Sequence, residues 1–157
     1  MPIILARIDD RLIHGQVTEG WCSRMRPEFI LVVSDEVSAS DWHKDLCLAS
    51  LPCTFDGDVV GIDAAADYIN KLQDDPKPSY VLFESPEDVF IVVQKGARLP
   101  NVNVGGMHST KGKREILDYI FVDDEDSRYL KALAENGIRV DVRALPDNER
   151  IDIISRL

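Results

Sequence analysis

Apolar residues in this chain fall into short runs, and the stretches between those runs carry apolar residues at helical spacing. Ile3, Ile4, Leu5, Ala6 and Ile8 form the first run, which lacks a helical period and suits a central strand covered on both faces. Val17, Trp21 and Met25 then recur every fourth residue and predict a helix from about Gly15 to Arg26. Phe29 to Val33 reads as a second strand, and Ser38 or Ser40 as the cap of a helix running towards Ser50, which Pro52 ends. A third strand is expected near Val59 to Ile62, followed by a helix capped by Asp63 in which Ala66, Ile69 and Leu72 keep helical spacing. Tyr80 to Phe83 is the fourth strand; Pro86 suits the first position of a helix carrying Val89, Val92 and Val93, closed by Gly96. Asn101 to Val104 is the fifth strand. Beyond the loop GGMHSTKGK come a strand near Tyr119 to Val122, a helix with Leu130, Leu133 and Ala134 ending at Gly137, and a strand from Ile138 to Val142.

This alternation predicts a single α/β domain over residues 1–157, with a mostly parallel twisted sheet and helices on both faces. Ligands of such folds gather beyond the carboxyl ends of the strands, so the loops starting at Asp9, Ser34, Glu84 and Gly105 are expected to share one edge. The balance of 18 Lys+Arg against 28 Asp+Glu, a formal charge of -10, repels a nucleic-acid backbone and removes nucleic acid from the expected partners. Cys22, Cys47 and Cys53 form no CxxC pair, which fits reduced thiols in a cytoplasm. Apolar runs such as Phe29 to Val33 fall far below the roughly 20 residues that cross a bilayer, and the N-terminus lacks the basic-then-apolar signal pattern. Membrane contact is therefore expected only through a partner.

The run RIDDRLIHGQV, Arg7 to Val17, carries the candidate chemistry. It places His14 where a strand passes into a helix, a junction where backbone N–H groups and the helix dipole favour an anion. Imidazole is largely neutral and nucleophilic at cell pH, Arg11 adds a planar fork of donors, and Gly15 removes a Cβ that would obstruct a phosphoryl group. The N–H groups from Ile13 to Gln16 are expected to take phosphate oxygens, and either Asp9 or Asp10 to orient the ring. The same position also suits a histidine that caps or packs, and the same aspartates an ordinary loop salt bridge. GGMHSTKGK is not a nucleotide P-loop, because Arg114 follows Lys113 where Ser or Thr would stand. Its cluster of Lys111, Lys113 and Arg114 reads as a solvated loop or as a docking site. His108 in that loop, His14 and Asp10 lack metal-ligand spacing, so no metal is expected, and His43 beside Trp42 reads as a surface or packing residue.

RIDDRLIHGQV resembles the IIB subunit of the mannose/fructose/sorbose class of the bacterial phosphoenolpyruvate-dependent sugar phosphotransferase system. Trp21, VVSDEV at Val32 to Val37, SPED at Ser85 to Asp88, NVNVGGMH at Asn101 to His108, and Gly137 support the likeness over nearly the whole chain. The resemblance implies that His14 is phosphorylated on Nδ1 by a phosphohistidine of a IIA subunit and passes the group to a sugar entering through membrane IIC and IID subunits. It further implies that Arg11 steadies the phosphate and that the sheet has an antiparallel edge. Beside these, Asp10 joins His14 and Arg11 in the candidate catalytic set, and Ser85, His108, Lys111 and Lys113 are candidate docking or supporting positions. Such a relay requires no cofactor, nucleotide or metal. A homodimer is left open. Two other readings stand beside it: a regulator of the same fold that reports on phosphorylation, and a receiver-like domain with Asp9 and Asp10 on Mg²⁺ and Asp63 phosphorylated.

Overall fold

β1 (Ile3–Asp9) passes through the Asp10–Gly15 loop into α1, which opens as a π-helical turn (Gln16–Trp21) and continues as an α-helix (Cys22–Met25). The computed structural model describes residues 2–52, 55–99 and 101–157, with Gln16 described by its backbone alone; the expectation for Cys53 lies outside the described residues. β2 (Phe29–Val33) leads to a short α2 (Asp35–Ser38) and α3 (Asp41–Ala49), then β3 (Asp56–Val60), α4 (Ile62–Asp74), β4 (Ser79–Phe83) and α5 (Pro86–Gln94). β5 (Asn101–Gly106) is followed by a hairpin of β6 (Arg114–Leu117) and β7 (Ile120–Val122), then α6 (Asp124–Glu135), β8 (Arg139–Val142) and β9 (Ile151–Asp152).

The seven-stranded sheet has the order β3-β2-β4-β1-β5-β8-β9, parallel except for the edge pair β8–β9. Alternation along each strand divides the core in two. Leu31, Val33, Val81 and Phe83 pack with Ile69, Val89, Leu130 and Leu133 of α4, α5 and α6. Leu5, Ile30, Val32, Tyr80 and Leu82 pack instead with Val17 and Trp21 of α1. The chain leaves β1 towards β2 and leaves the neighbouring β5 towards β8. These opposite departures open a crevice between the ends of β1 and β5, where ligands of doubly wound sheets bind. No helix of the described residues is long and apolar enough to cross a membrane.

Several elements depart from the sequence expectation for local reasons. β3 starts at Asp56, earlier than expected, because DGDVV borrows its ladder from β2 and needs no apolar run of its own. Asp63 does not cap α4. Gly61 holds the cap position, and Asp35 Oδ1 accepts the Ile62 N–H at 2.8 Å from across the fold. Ser40 rather than Ser38 caps α3, while Ser34 caps the unexpected α2. The expected strand at Tyr119 to Val122 lies outside the main sheet, paired antiparallel with β6.

Candidate functional site

Asp9 is the last residue of β1, and the period of two turns it to the same face as Leu5 and Arg7. Its carboxylate is fully buried and takes five donors. Oδ1 accepts the Arg11 backbone N–H at 3.1 Å and Arg11 Nε at 3.0 Å. Oδ2 accepts Arg11 Nη2 at 3.0 Å, Arg7 Nη2 at 3.2 Å and His14 Nε2 at 2.8 Å. The chain folds back to allow this through Leu12, in the left-handed region (φ 58°) and tied by its N–H to Asp9 O at 2.9 Å. Burial by itself raises the Asp9 pKa, but hydrogen bonds from His14 and Arg11, with the charge of Arg7, hold it below the usual carboxylate range.

A carboxylate has no proton to give, so His14 donates from Nε2 and its lone pair lies on Nδ1, which has no hydrogen-bond partner among the described residues. The ring keeps 17 % of its side-chain surface exposed and Arg11 keeps 36 %. The site therefore presents an imidazole fixed by a buried carboxylate beside a half-exposed guanidinium.

Behind Asp9 lies a polar ladder across three strands. Arg7, Asn103 and Asp141 stand opposite one another in register on β1, β5 and β8, and all are buried. Arg7 Nη1 donates to Asn103 Oδ1 at 2.7 Å and to Arg143 O at 3.1 Å; Asn103 Nδ2 donates to Asp141 Oδ1 at 3.0 Å. The guanidiniums of Arg7 and Arg143 lie 5.3 and 4.9 Å from the Trp21 ring centroid, and the indole N–H donates to Ala144 O at 2.8 Å. Sequence reading missed Asn103, Asp141 and Arg143. The available signal was a polar residue recurring at every second position inside apolar strands, in NVNV and RVDV.

Gly105 and Gly106 make room for this ladder. A Cβ at Gly105 would collide with the Arg7 guanidinium, and one at Gly106 would come within 3.1 Å of Asp9 Oδ1 and of Arg11 Nη2. Gly105→Ala is expected to lower the denaturant midpoint by the equivalent of about 1–3 kcal/mol, the usual cost of overpacking a filled core, with the slope unchanged.

The other expected site residues separate. Asp10 is not the partner of His14; the strand pleat sends consecutive side chains to opposite sides, and Asp10 binds His108. Ile13 is half-buried, and Gly15 and Gln16 head α1, with nothing within 4 Å of a Cβ built at Gly15. Ser85 caps α5, accepting the Asp88 N–H at 3.3 Å. Lys113 pairs with Asp126 at 2.9 Å and Arg114 with Asp124 at 3.3 Å, so those charges serve the acidic start of α6; Lys111 is exposed. His43 leans on Trp42, ring centroids 6.1 Å apart. The receiver-like arrangement is absent: Asp9 is filled by cations, and Asp63 lies in α4, exposed and facing Lys95 at 3.6 Å. Cys22 and Cys47 are free, and burial pushes the Cys22 thiol up to about 11.

Fold and site together define a doubly wound α/β protein that presents one oriented histidine at the crevice between β1 and β5. The chain belongs to the PTS system sorbose subfamily IIB component family, which it matches over residues 3–157. IIB components of this class are phosphotransferases of the sugar phosphotransferase system. The fructose-specific EIIB component of Bacillus subtilis (strain 168) is 31 % identical over 157 residues, covering 100 % of this chain and 96 % of that protein. The mannose-specific EIIAB component of Escherichia coli (strain K12) is 36 % identical over 160 residues, covering 100 % of this chain and 50 % of that longer protein. The crystal structure of the IIBSor domain of the sorbose permease from Klebsiella pneumoniae superposes with a TM-score of 0.90 at 29 % identity, covering 99 % of this chain and 96 % of that one.

Proposed function

We propose that this protein accepts a phosphoryl group on His14 Nδ1 from a phosphohistidine of a IIA protein and transfers it to a sugar entering through membrane IIC and IID subunits. The observation that carries this reading is the hydrogen bond from His14 Nε2 to the buried Asp9 at 2.8 Å, which fixes the tautomer and leaves Nδ1 as the nucleophile. Arg11 stands beside it as a donor to the spread charge of the transferring phosphoryl group, and the N–H groups of Ile13, Gly15 and Gln16 supply further donors. Asp9 stays ionised and stabilises the ring as it gains positive character on phosphorylation. No nucleotide, metal or other cofactor enters these steps.

The mannose relative named EIIAB, of which this chain matches half, supports a IIA partner. Trp42 and Leu46 stand exposed on α3, beside a shallow cleft of about 200 Å³ that Arg11, Leu12 and Ile13 also line, and give such a partner apolar surface to bury. The protein works at the cytoplasmic face of the membrane, held there by its partner subunits.

The test is to map the phosphorylated residue after incubation with phosphoenolpyruvate and the upstream carriers. Vesicles bearing the IIC and IID subunits are then supplied with fructose, mannose, sorbose or N-acetylgalactosamine, the sugars named for relatives. Label on His14 that moves to a sugar supports the reading; label elsewhere overturns it. Arg11→Ala is expected to slow phosphoryl uptake by about 10²–10³-fold, the usual loss for one charge-stabilising donor, measured by rapid-quench labelling.

A further inference from the structure

We propose that His108 is the base that takes the proton from the sugar hydroxyl attacking phosphorylated His14, and that Asp10 positions it. This deepens the phosphoryl-carrier reading and rests on it.

Asp10 turns away from Asp9 and ties the end of β5 and the start of the loop after it. Its backbone N–H donates to Gly106 O at 3.2 Å, its Oδ2 accepts the His108 backbone N–H at 2.7 Å, and its Oδ1 meets His108 Nδ1 at 2.5 Å. The carboxylate is acceptor only, so Nδ1 carries the proton and the lone pair lies on Nε2. Nε2 has no partner among the described residues, and the side chain is 63 % exposed. This carboxylate–imidazole arrangement orients a ring for proton transfer.

His108 lines a cleft of about 290 Å³ together with Arg11, Met107, Ser109, Tyr119 and Phe121. Arg11 is shared with the Asp9–His14 cluster, so the cleft adjoins the phosphoryl site. Its far wall is fixed by the Met107 backbone, which bonds Tyr119 O and the Phe121 N–H at 3.0 Å each. A few polar groups set against an apolar wall suit a small polyhydroxy ligand entering by one end.

The chemistry requires such a base in one step only. In transfer to sugar, a hydroxyl oxygen forms a bond to phosphorus while the P–Nδ1 bond breaks and its electron pair returns to Nδ1. The hydroxyl proton must leave. In-line displacement puts His14 on the opposite side of phosphorus from the incoming hydroxyl, beyond reach of its proton. Asp9 lies behind the ring with five donors on it, and Asp10 is filled by His108. His108 Nε2 receives the proton and releases it to solvent. In the first step the attacking atom is the Nδ1 lone pair, which has no proton to lose.

His108→Gln is therefore expected to take up phosphate from phosphorylated IIA at close to the wild-type rate. It should lose phosphate to the sugar 10²–10⁴-fold more slowly, the usual contribution of a general base. The second step is followed in the IIC/IID vesicles with whichever sugar accepts label from the wild type. The rise of that step with pH which an imidazole base imposes should flatten in His108→Gln. In Asp10→Asn, which keeps the base and removes the carboxylate that positions it, that rise should persist while the second step slows; among the described residues Asp10, Arg11 and Tyr119 are the titratable or charged groups around the ring. An unchanged second step, or two steps that slow equally, overturns the assignment by showing His108 to be a spectator or merely a structural tie. Wild-type protein that gains no label on His14 overturns the carrier reading and this inference together.

Discussion

His14→Ala is expected to fold as the wild type does and to take up no label from phosphorylated IIA. The His14 imidazole is the ring fixed on the buried Asp9 beside Arg11, and the lone pair of His108 serves to take a proton in the second step, so removing His14 removes the phosphoryl acceptor. The fold survives because Asp9 keeps four of its donors and the ring is only half-buried. The cost in stability is about 1.5–3 kcal/mol, that of one hydrogen bond to a charged group. Wild-type label should be acid-labile and resistant to hydroxylamine, as a phosphohistidine is. Full labelling of a folded His14→Ala protein would place the acceptor elsewhere.

Asp9→Ala is expected to be the most damaging single substitution for stability. It leaves the Arg7 guanidinium, fully buried, without its carboxylate, and unpairing a buried ion pair costs about 3–5 kcal/mol. For a chain of this length that lowers the Tm by on the order of 10 °C. The pH dependence follows from the sign of the shift. Asp9 titrates below the ordinary carboxylate value in the folded state, so its contribution is complete above that value and is lost as the pH falls through the folded pKa. The variant should lack that part of the acid-unfolding slope. Replacing both members with apolar residues of similar size, Arg7→Met with Asp9→Leu, should recover much of the stability and none of the phosphoryl uptake. Asp9→Ala as stable as the wild type would show that the cluster holds nothing together.

RIDDRLIHGQV was legible because each residue acts locally: the strand delivers the loop, the loop delivers His14, and α1 follows at once. β2 and α5, with its proline at the first helical position, were equally plain. Two kinds of feature were not. The choice between Asp9 and Asp10 depends on the pleat at the final residue of β1, where a displacement of one residue exchanges the two roles. Asn103, Asp141 and Arg143 lie far from His14 in the chain and join it only through strand order, which no local pattern records.

The sequence by itself determined the elements, the mostly parallel sheet and the loop that carries the histidine, because side-chain periodicity and turn chemistry act over a few residues. Only the tertiary structure decided which carboxylate holds His14, why two glycines end β5, and that His108 returns beside Arg11. Those depend on the register of β1 against β5, which brings side chains 96 residues apart into one hydrogen-bonded group.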